Sequence, residues 1–448
     1  MRDKLSGMLE RLEASCPALS FAGRGREKGD SCNGHALAIR RRCMLLKEFE
    51  NENASDEQIA DFVENFDHHS TFFRDNYFNI IRYIVSKKPI FRSPAYGGFS
   101  MVCNYEAMRV VATDTKTFPN ENSSRVIPSG PLPPLIPVDL NPPDHTFYRR
   151  ALNPLFSPNA MARRRDDTIQ LARELLAAVR KKDHFDLIDD YAKPLTGITS
   201  FELLGIEPTT WPDYDTPITN STFSIGTLEE RASGYLAYEH RVREAVAKAV
   251  KQPDPATVIG AMALSTLDNR NISEDEICQT VNTLIIGGLG TTQAVAGSSA
   301  LYLSRNPERK RELIEHPERL SFAVNEFLRL FSSAPITGRA VPDDVQLFGE
   351  ALHAGETLGL FWAAANFDPN FIDRPFEVDF QRASSRSITF AMGPHMCLGQ
   401  HLARLELEAM IMVLLEDMPN YAIIDDGIVP APDVASILAF VHVPVRAG

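Results

Sequence analysis

The stretch FAMGPHMCLGQHLARLELE, residues 390–408, holds one cysteine, Cys397, where a loop carrying Gly393, Pro394 and Gly399 gives way to strong helix formers. The first N–H groups of a helix have no partner within it, and the helix dipole is positive there. A thiol at that place ionises more easily, and its thiolate accepts backbone hydrogen bonds. The plainer alternative is the small buried hydrophobe that most free cysteines are. Gly393 and Gly399 point to backbone geometry that a Cβ would block.

Three further patterns bear on chemistry. His145 and Arg149, in NPPDHTFYRRALNP, stand four apart on one face of a helix that a Pro-Pro pair opens. Glu326 and Arg329, in NEFLRLF, form an i,i+3 ion pair among Phe327, Leu328, Leu330 and Phe331, which predicts burial and a close match of charge. In NTLIIGGLGTTQ three glycines interrupt a helix, each unfavourable by roughly 1 kcal/mol relative to alanine. Thr283, Gly287, Gly290, Thr291 and Ala294 share one face of that helix. They offer a shallow groove, either for something flat or small or for tight helix packing. The Thr291 hydroxyl is placed to bond the Gly287 carbonyl and loosen the helix locally.

FAMGPHMCLG fits Phe-x-x-Gly-x-His-x-Cys-x-Gly at every fixed position, and resembles the haem-ligand loop of the cytochrome P-450 superfamily. The resemblance implies haem b, iron protoporphyrin IX, with Cys397 as the axial thiolate that favours O–O cleavage. It implies that Phe390 shields the sulfur, that His395 meets a propionate and that Gly399 completes the cofactor loop. His145 and Arg149 look like the family's His-x-x-x-Arg, which holds a propionate, and Arg339 in SAPITGRAV is similar to the strand arginine at the second propionate. Glu326 and Arg329 resemble the structural pair beneath the cysteine loop. The third member of that network is usually an arginine or histidine, but RPFEVDFQR places Glu377 there, so closure through Arg374 or Arg382 is expected. Gly287, Gly288 and Thr291 match the oxygen-binding motif, small-Gly-x-acid-Thr. Gly290 stands where the acid should be, which predicts leakier coupling and a proton relay through water, Thr292, Gln293 or the substrate. The test is Gly290→Asp, read as product per reduced cofactor.

The implied activity is a haem-thiolate monooxygenase that hydroxylates an apolar, terpenoid-like small molecule with O₂. Since the chain shows no dinucleotide fingerprint, electrons must come from outside; the resemblance points to an iron–sulfur ferredoxin and its NAD(P)H reductase, as in the camphor-hydroxylase branch. A peroxide-using or reductant-independent enzyme on the same fold, and a non-enzymatic haem sensor, are the competing readings. Arg163, Arg164 and Arg165 form a basic run for an acidic ferredoxin, or simply a solvated helix face. Thr283 and Ile286 on the groove helix, and Leu135 and Ile136 in a segment with eight prolines between Pro119 and Pro143, are candidate substrate contacts.

These groups must be held by a fold that is mainly α with a small β subdomain, the cytochrome P-450 fold. Helices are expected near 145–156, 159–182, 228–250 and 309–331, and over 274–305, where Ser273 and Glu276 form a capping box and Asn306-Pro307 ends the helix. FSMVCNY (99–105) and the C-terminal ASILAFVHVPVRA read as strand, and residues 366–389 as an aperiodic meander. Residues 1–45 read as a disordered extension, and 46–448 as a single catalytic domain. Cys16, Cys32, His35 and Cys43 make no paired Cys-x-x-Cys pattern, so no metal site is read there. A net charge of −13 argues against nucleic acid. The absence of an unbroken apolar span or secretory signal, with six unevenly spaced cysteines, predicts a cytoplasmic protein off the membrane.

Overall fold

The computed structural model describes residues 54–120, 126, 134–267, 270–382 and 387–446. The expected disordered extension and its cysteines lie outside these residues. Helix dominates, and the central element is the long helix Glu274–Arg305, with the boundaries and the Ser273–Glu276 capping box that the sequence predicts. It is long and apolar enough to cross a bilayer, but most of its apolar window is buried inside the protein. Its N-terminal half packs with Ile136, Tyr148, Phe201 and Tyr238. Its C-terminal half joins a larger cluster with Phe327, Leu407 and Tyr421.

Helices Asp144–Leu152, Pro158–Val179 and Leu228–Ala249 form near their expected positions. The stretch 309–331 is not one helix. Pro307–Glu315 ends at His316, a short 3₁₀ turn covers Pro317–Arg319, and Leu320–Leu330 follows. Pro317 explains the break: proline disfavours helical backbone at the residue before it, and His316 lies at φ −129°, ψ 66°.

The main sheet has four strands in the order 90–93, 99–102, 357–361, 336–340. The middle pair is parallel and both outer pairs are antiparallel. The 99–105 strand stops at Val102, because Asn104 turns to cap the next helix by accepting from the Ala107 N–H. The tail forms Phe440–His442 and Pro444–Arg446, the latter pairing with strands at 422–423 and 184–186. No helix or strand forms within the described part of the 366–389 meander. Helix Gln400–Asp417, directly after the cysteine loop, packs between the long helix and Pro158–Val179.

Candidate active site

The cysteine loop is built by its backbone. Gly393 has φ +71°, and a Cβ there would lie 2.5 Å from the Ala112 carbonyl oxygen, so only glycine fits. Gly399 differs from its expectation: its φ is −79°, and a Cβ would meet no protein atom within 4 Å. Its small size leaves open space beside the thiol rather than permitting a special conformation. The Cys397 N–H donates to the Phe390 carbonyl at 2.8 Å, closing the loop over itself. The Arg404 guanidinium lies 4.5 Å from the Phe390 ring centroid, a cation–π contact that fixes the ring beside the loop. The Cys397 side chain is exposed, yet the protein packed around it makes desolvation the largest influence on the thiol, which raises its pKa. The Gly399 and Gln400 N–H groups and the charges of Arg149 and Arg404 pull it back down.

Around this loop, polar atoms converge that have no partner among the described residues. His145 is buried and its Nδ1 accepts nothing and donates to nothing. Arg339, on the sheet's edge strand, is 2% exposed; its Nη1 donates to the neighbouring Gly338 carbonyl at 2.7 Å, while Nε has no partner. His395 Nε2 is equally orphaned, and its ring lies 4.2 Å from that of His145. Arg149 Nη1 donates to the Met396 carbonyl at 2.8 Å, tying the helix to the residue before the cysteine. Burial holds the His145 pKa at about 4, with Arg149 adding to the effect. Burial, then His145, Arg339 and Arg149, push His395 to about 3, and burial brings Arg339 down to about 10. Burial is the first cause in each case, with neighbouring cations adding to it at the two histidines.

One member of this cluster was not legible in the sequence. Asn120 is 2% exposed; its Nδ2 donates to the Val138 carbonyl at 2.8 Å and lies 3.3 Å from His395 Nδ1, and its Oδ1 is unpartnered. An amide N–H facing Nδ1 makes that nitrogen the acceptor, so Nε2 carries the proton and points a donor into the cluster. The segment between Asn120 and the helix of His145 has no periodic signal that would have marked it.

On the long helix, Thr291 Oγ1 donates to the Gly287 carbonyl at 2.8 Å, as the spacing predicts. Gly287 is exposed in the middle of this mostly buried helix, and a Cβ there would meet nothing within 4 Å. Thr283, Gly287 and Thr291 therefore line an open side. Gly290 and Ala294 do not belong to it: a Cβ on Gly290 would lie 2.8 Å from Ile437 Cδ1, and Ala294 is buried in the large core. Ile286 and Leu135 are partly buried, but Ile136 is 5% exposed within the second core cluster and is not free to meet a substrate.

The match to known proteins decides the family. A family model for cytochrome P-450 matches residues 237–418. The chain is 31% identical over 315 residues to the vitamin D(3) 25-hydroxylase of Pseudonocardia autotrophica, covering 68% of this chain and 75% of that one. The chain belongs to the cytochrome P-450 family. It is also 26% identical over 372 residues to the steroid C26-monooxygenase of Mycobacterium tuberculosis, covering 81% and 92% of the two chains. The bacillaene polyketide synthase cytochrome P-450 of Bacillus subtilis superimposes with a TM-score of 0.75 at 24% identity, covering 86% of this chain and all of that one. This protein is accordingly a cytochrome P-450 monooxygenase with haem b as cofactor and O₂ as co-substrate. The residues present fit that cofactor: His145, His395 and Arg339 offer orphaned nitrogens to a dianion beside the one cysteine of the loop.

Beneath the loop, Glu326 and Arg329 are buried as expected and joined by two bonds of 2.8 Å. Arg382, not Arg374, closes the network, with Nε 3.2 Å from both Glu326 oxygens. Arg374 stays at the surface with Asp373 and Glu377. The departure at Glu377 has a simple resolution: its backbone carbonyl, not its side chain, accepts from Arg329 and Arg382. Of the basic run, Arg164 pairs with Glu202 and Arg165 with Glu408, so two of its three charges are already neutralised.

Proposed function

We propose that this cytochrome P-450 hydroxylates an apolar, terpenoid- or sterol-like small molecule, drawing its electrons from an iron–sulfur ferredoxin and an NAD(P)H-dependent reductase. When bound, haem supplies the chemistry that activates O₂. Cys397 is assigned as its ligand through sulfur, with the Gly399 and Gln400 N–H groups holding the thiolate and Phe390 screening it from water. His145, Arg149, Arg339 and His395 take the two propionates, and Asn120 presents the correct nitrogen of His395 to them. Thr291, Gly287 and Gly288 form the oxygen groove, in which the Thr291 hydroxyl is held by the Gly287 carbonyl. Thr283 and Ile286, one turn along, and Leu135 contribute to the substrate wall.

The observation that carries this reading is the convergence of unpartnered nitrogens from three separate segments, those of His145, Arg339 and His395, around the cysteine loop. A sterol-like substrate is supported by relatives named for steroid and vitamin D(3) hydroxylation. The reading of a single catalytic unit is supported, over the described residues, by two core clusters that share the long helix. The test is a carbon-monoxide difference spectrum of the reduced holoprotein, followed by a spin-shift screen with sterols, terpenoids and aromatic acids. A red-displaced Soret maximum that disappears in Cys397→Ser is expected; its survival in that variant would overturn the ligand assignment. Product formed with NAD(P)H and a surrogate ferredoxin–reductase pair, but not with peroxide alone, separates the reading from a peroxide-driven enzyme.

A further inference from the structure

Helix Gln400–Asp417 carries a cation whose charge no acid answers. Arg404 is half-buried in the second turn, near the end of the helix that favours anions, so its place offers it no compensation. Its Nε donates to Asn325 Oδ1 at 2.8 Å, and its Nη1 donates to the Gln400 carbonyl at 3.1 Å and to Gln400 Oε1 at 3.2 Å. Asn325 is itself fixed, because its Nδ2 donates to the Ser321 carbonyl at 2.7 Å and leaves Oδ1 to face the guanidinium. The Phe390 ring takes the face of that group. Every one of these partners is neutral. Among the described residues no carboxylate forms a salt bridge with Arg404; Glu408, one turn on, is bonded to Arg165 at 3.0 Å.

Taking a charge out of water without a partner is costly, so a guanidinium held this firmly needs an anion. The cysteine loop supplies one. The Phe390 ring beneath Arg404 belongs to the residue whose carbonyl accepts the Cys397 N–H at 2.8 Å, so the cation and the sulfur sit on one closed turn of chain. Burial is the largest influence on Arg404 and lowers its pKa; the Cys397 thiol, then Glu408, act the other way. Seen from the thiol, the charges of Arg149 and Arg404 rank next after burial and the Gly399 N–H. Arg149 is tied to the Met396 carbonyl at 2.8 Å and is assigned above to a propionate. Arg404 has no such second anion, and its field is left to the sulfur.

We propose that Arg404 is the counter-cation of the Cys397 thiolate, and that its charge raises the reduction potential of the bound haem and so eases reduction by the external iron–sulfur donor. One electron passes from the reduced donor, which is oxidised, to the haem iron, which is reduced. No bond forms or breaks, and the haem–thiolate unit becomes more negative by one charge. A fixed cation stabilises the more negative form, which sets the direction of the effect. A unit charge at ~10 Å through an effective dielectric constant of ~20 changes a one-electron equilibrium by about tenfold. The inference rests on the reading of Cys397 as haem ligand, and its test separates the two.

The measurement is the midpoint potential of the purified holoenzyme, titrated with dithionite and small mediators. No protein donor is present, so a role for Arg404 in docking that donor would leave the result unmoved. Arg404→Gln protein whose carbon-monoxide spectrum keeps the red-displaced Soret maximum should favour the oxidised form by about tenfold more than wild type, ~59 mV for one electron. Its C–O stretching frequency should also fall, because the sulfur then pushes more electron density onto the iron. Arg404→Lys keeps the charge and should stay within about threefold of wild type. Asn325→Asp leaves the guanidinium over Phe390 but sets a carboxylate against it, so its potential should approach that of Arg404→Gln. A side chain that merely steadies the Phe390 ring predicts a wild-type potential in Asn325→Asp, and that result overturns the proposal. An unmoved potential in Arg404→Gln, or an equal fall in Arg404→Lys, overturns it too, and each leaves the monooxygenase standing. If Arg404→Gln does not hold haem, Asn325→Asp decides alone. A wild-type protein without the red-displaced Soret maximum removes both readings.

Discussion

Replacing Glu326 with alanine tests whether the cysteine loop hangs on a matched charge network. Glu326 accepts from Arg329 through two bonds of 2.8 Å, from Arg382 at 3.2 Å and from the Asp379 N–H at 3.0 Å. Both members of the main pair have side chains 1% exposed, so the deletion strands one guanidinium with no water to take its place. Breaking a buried pair by removing one partner costs about 3–5 kcal/mol. Unfolding entropy of about 2.1 cal/mol/K per residue, over 448 residues, is ~0.9 kcal/mol per kelvin, which places the loss at ~3–5 °C in Tm. Arg329 also donates to the Asn366 and Pro375 carbonyls, and these bonds keep it from leaving the core. The double variant Glu326→Leu/Arg329→Met removes both charges and should recover ~0.5–3 kcal/mol relative to the sum of its parts. Differential scanning fluorimetry of Glu326→Ala and of the four proteins of this cycle reads the result. A Glu326→Ala shift under 1 °C, or strict additivity in the cycle, would refute the claim that the pair is a unit.

Three further substitutions probe the site and its frame. Gly393→Ala forces a Cβ to within 2.5 Å of the Ala112 carbonyl at φ +71°, and should cost at least ~1–3 kcal/mol and abolish most haem incorporation, read from the Soret-to-protein absorbance ratio. Asn120→Leu removes the partner of His395 Nδ1 and should speed haem loss to a scavenger about tenfold, as losing a buried polar contact worth ~1–3 kcal/mol implies. His68 is buried with its pKa lowered to about 3 by desolvation, against 6.5 when unfolded. The unfolded chain therefore binds the extra proton, so stability is full above about 6.5 and falls as the pH drops toward 3, at ~1.4 kcal/mol per pH unit. His68→Phe should flatten the acid limb of a urea-unfolding series by about one proton, and an unaltered slope would show that the group does not titrate on unfolding.

What the sequence discloses and what it hides divide by range. Cys397 with its glycines, the capped helix 274–305 and the Glu326–Arg329 pair are each written within a few consecutive residues, where backbone chemistry alone sets the geometry. The split at Pro317 is equally local; it was obscured because apolar periodicity resumes in the next helix. Asn120 and Glu406 are different. Asn120 reaches His395 across 275 positions, and Thr199 reaches Glu406 across 207. In LARLELEAM, Glu406 reads as one more solvated charge on an amphipathic helix, until three packed helices enclose it. Nor does sequence alone show that Gly290 is covered by Ile437 from the C-terminal segment.

That last contact gives the missing acid a physical cost and a prediction. An aspartate at position 290 has to displace the Ile437 tip, which lies 2.8 Å from where its Cβ would stand, so restoring the family's carboxyl is not a simple gain. Ile437 is 7% exposed in the large core and has little room to retreat. Gly290→Asp alone should therefore lower stability by ~1–3 kcal/mol, as overpacking does. Gly290→Asp with Ile437→Ala frees the space and should raise NADPH-driven O₂ consumption above that of an Ile437→Ala background. Equal rates with and without the new aspartate in that background would mean that proton supply does not limit this enzyme, and that Gly290 serves packing alone.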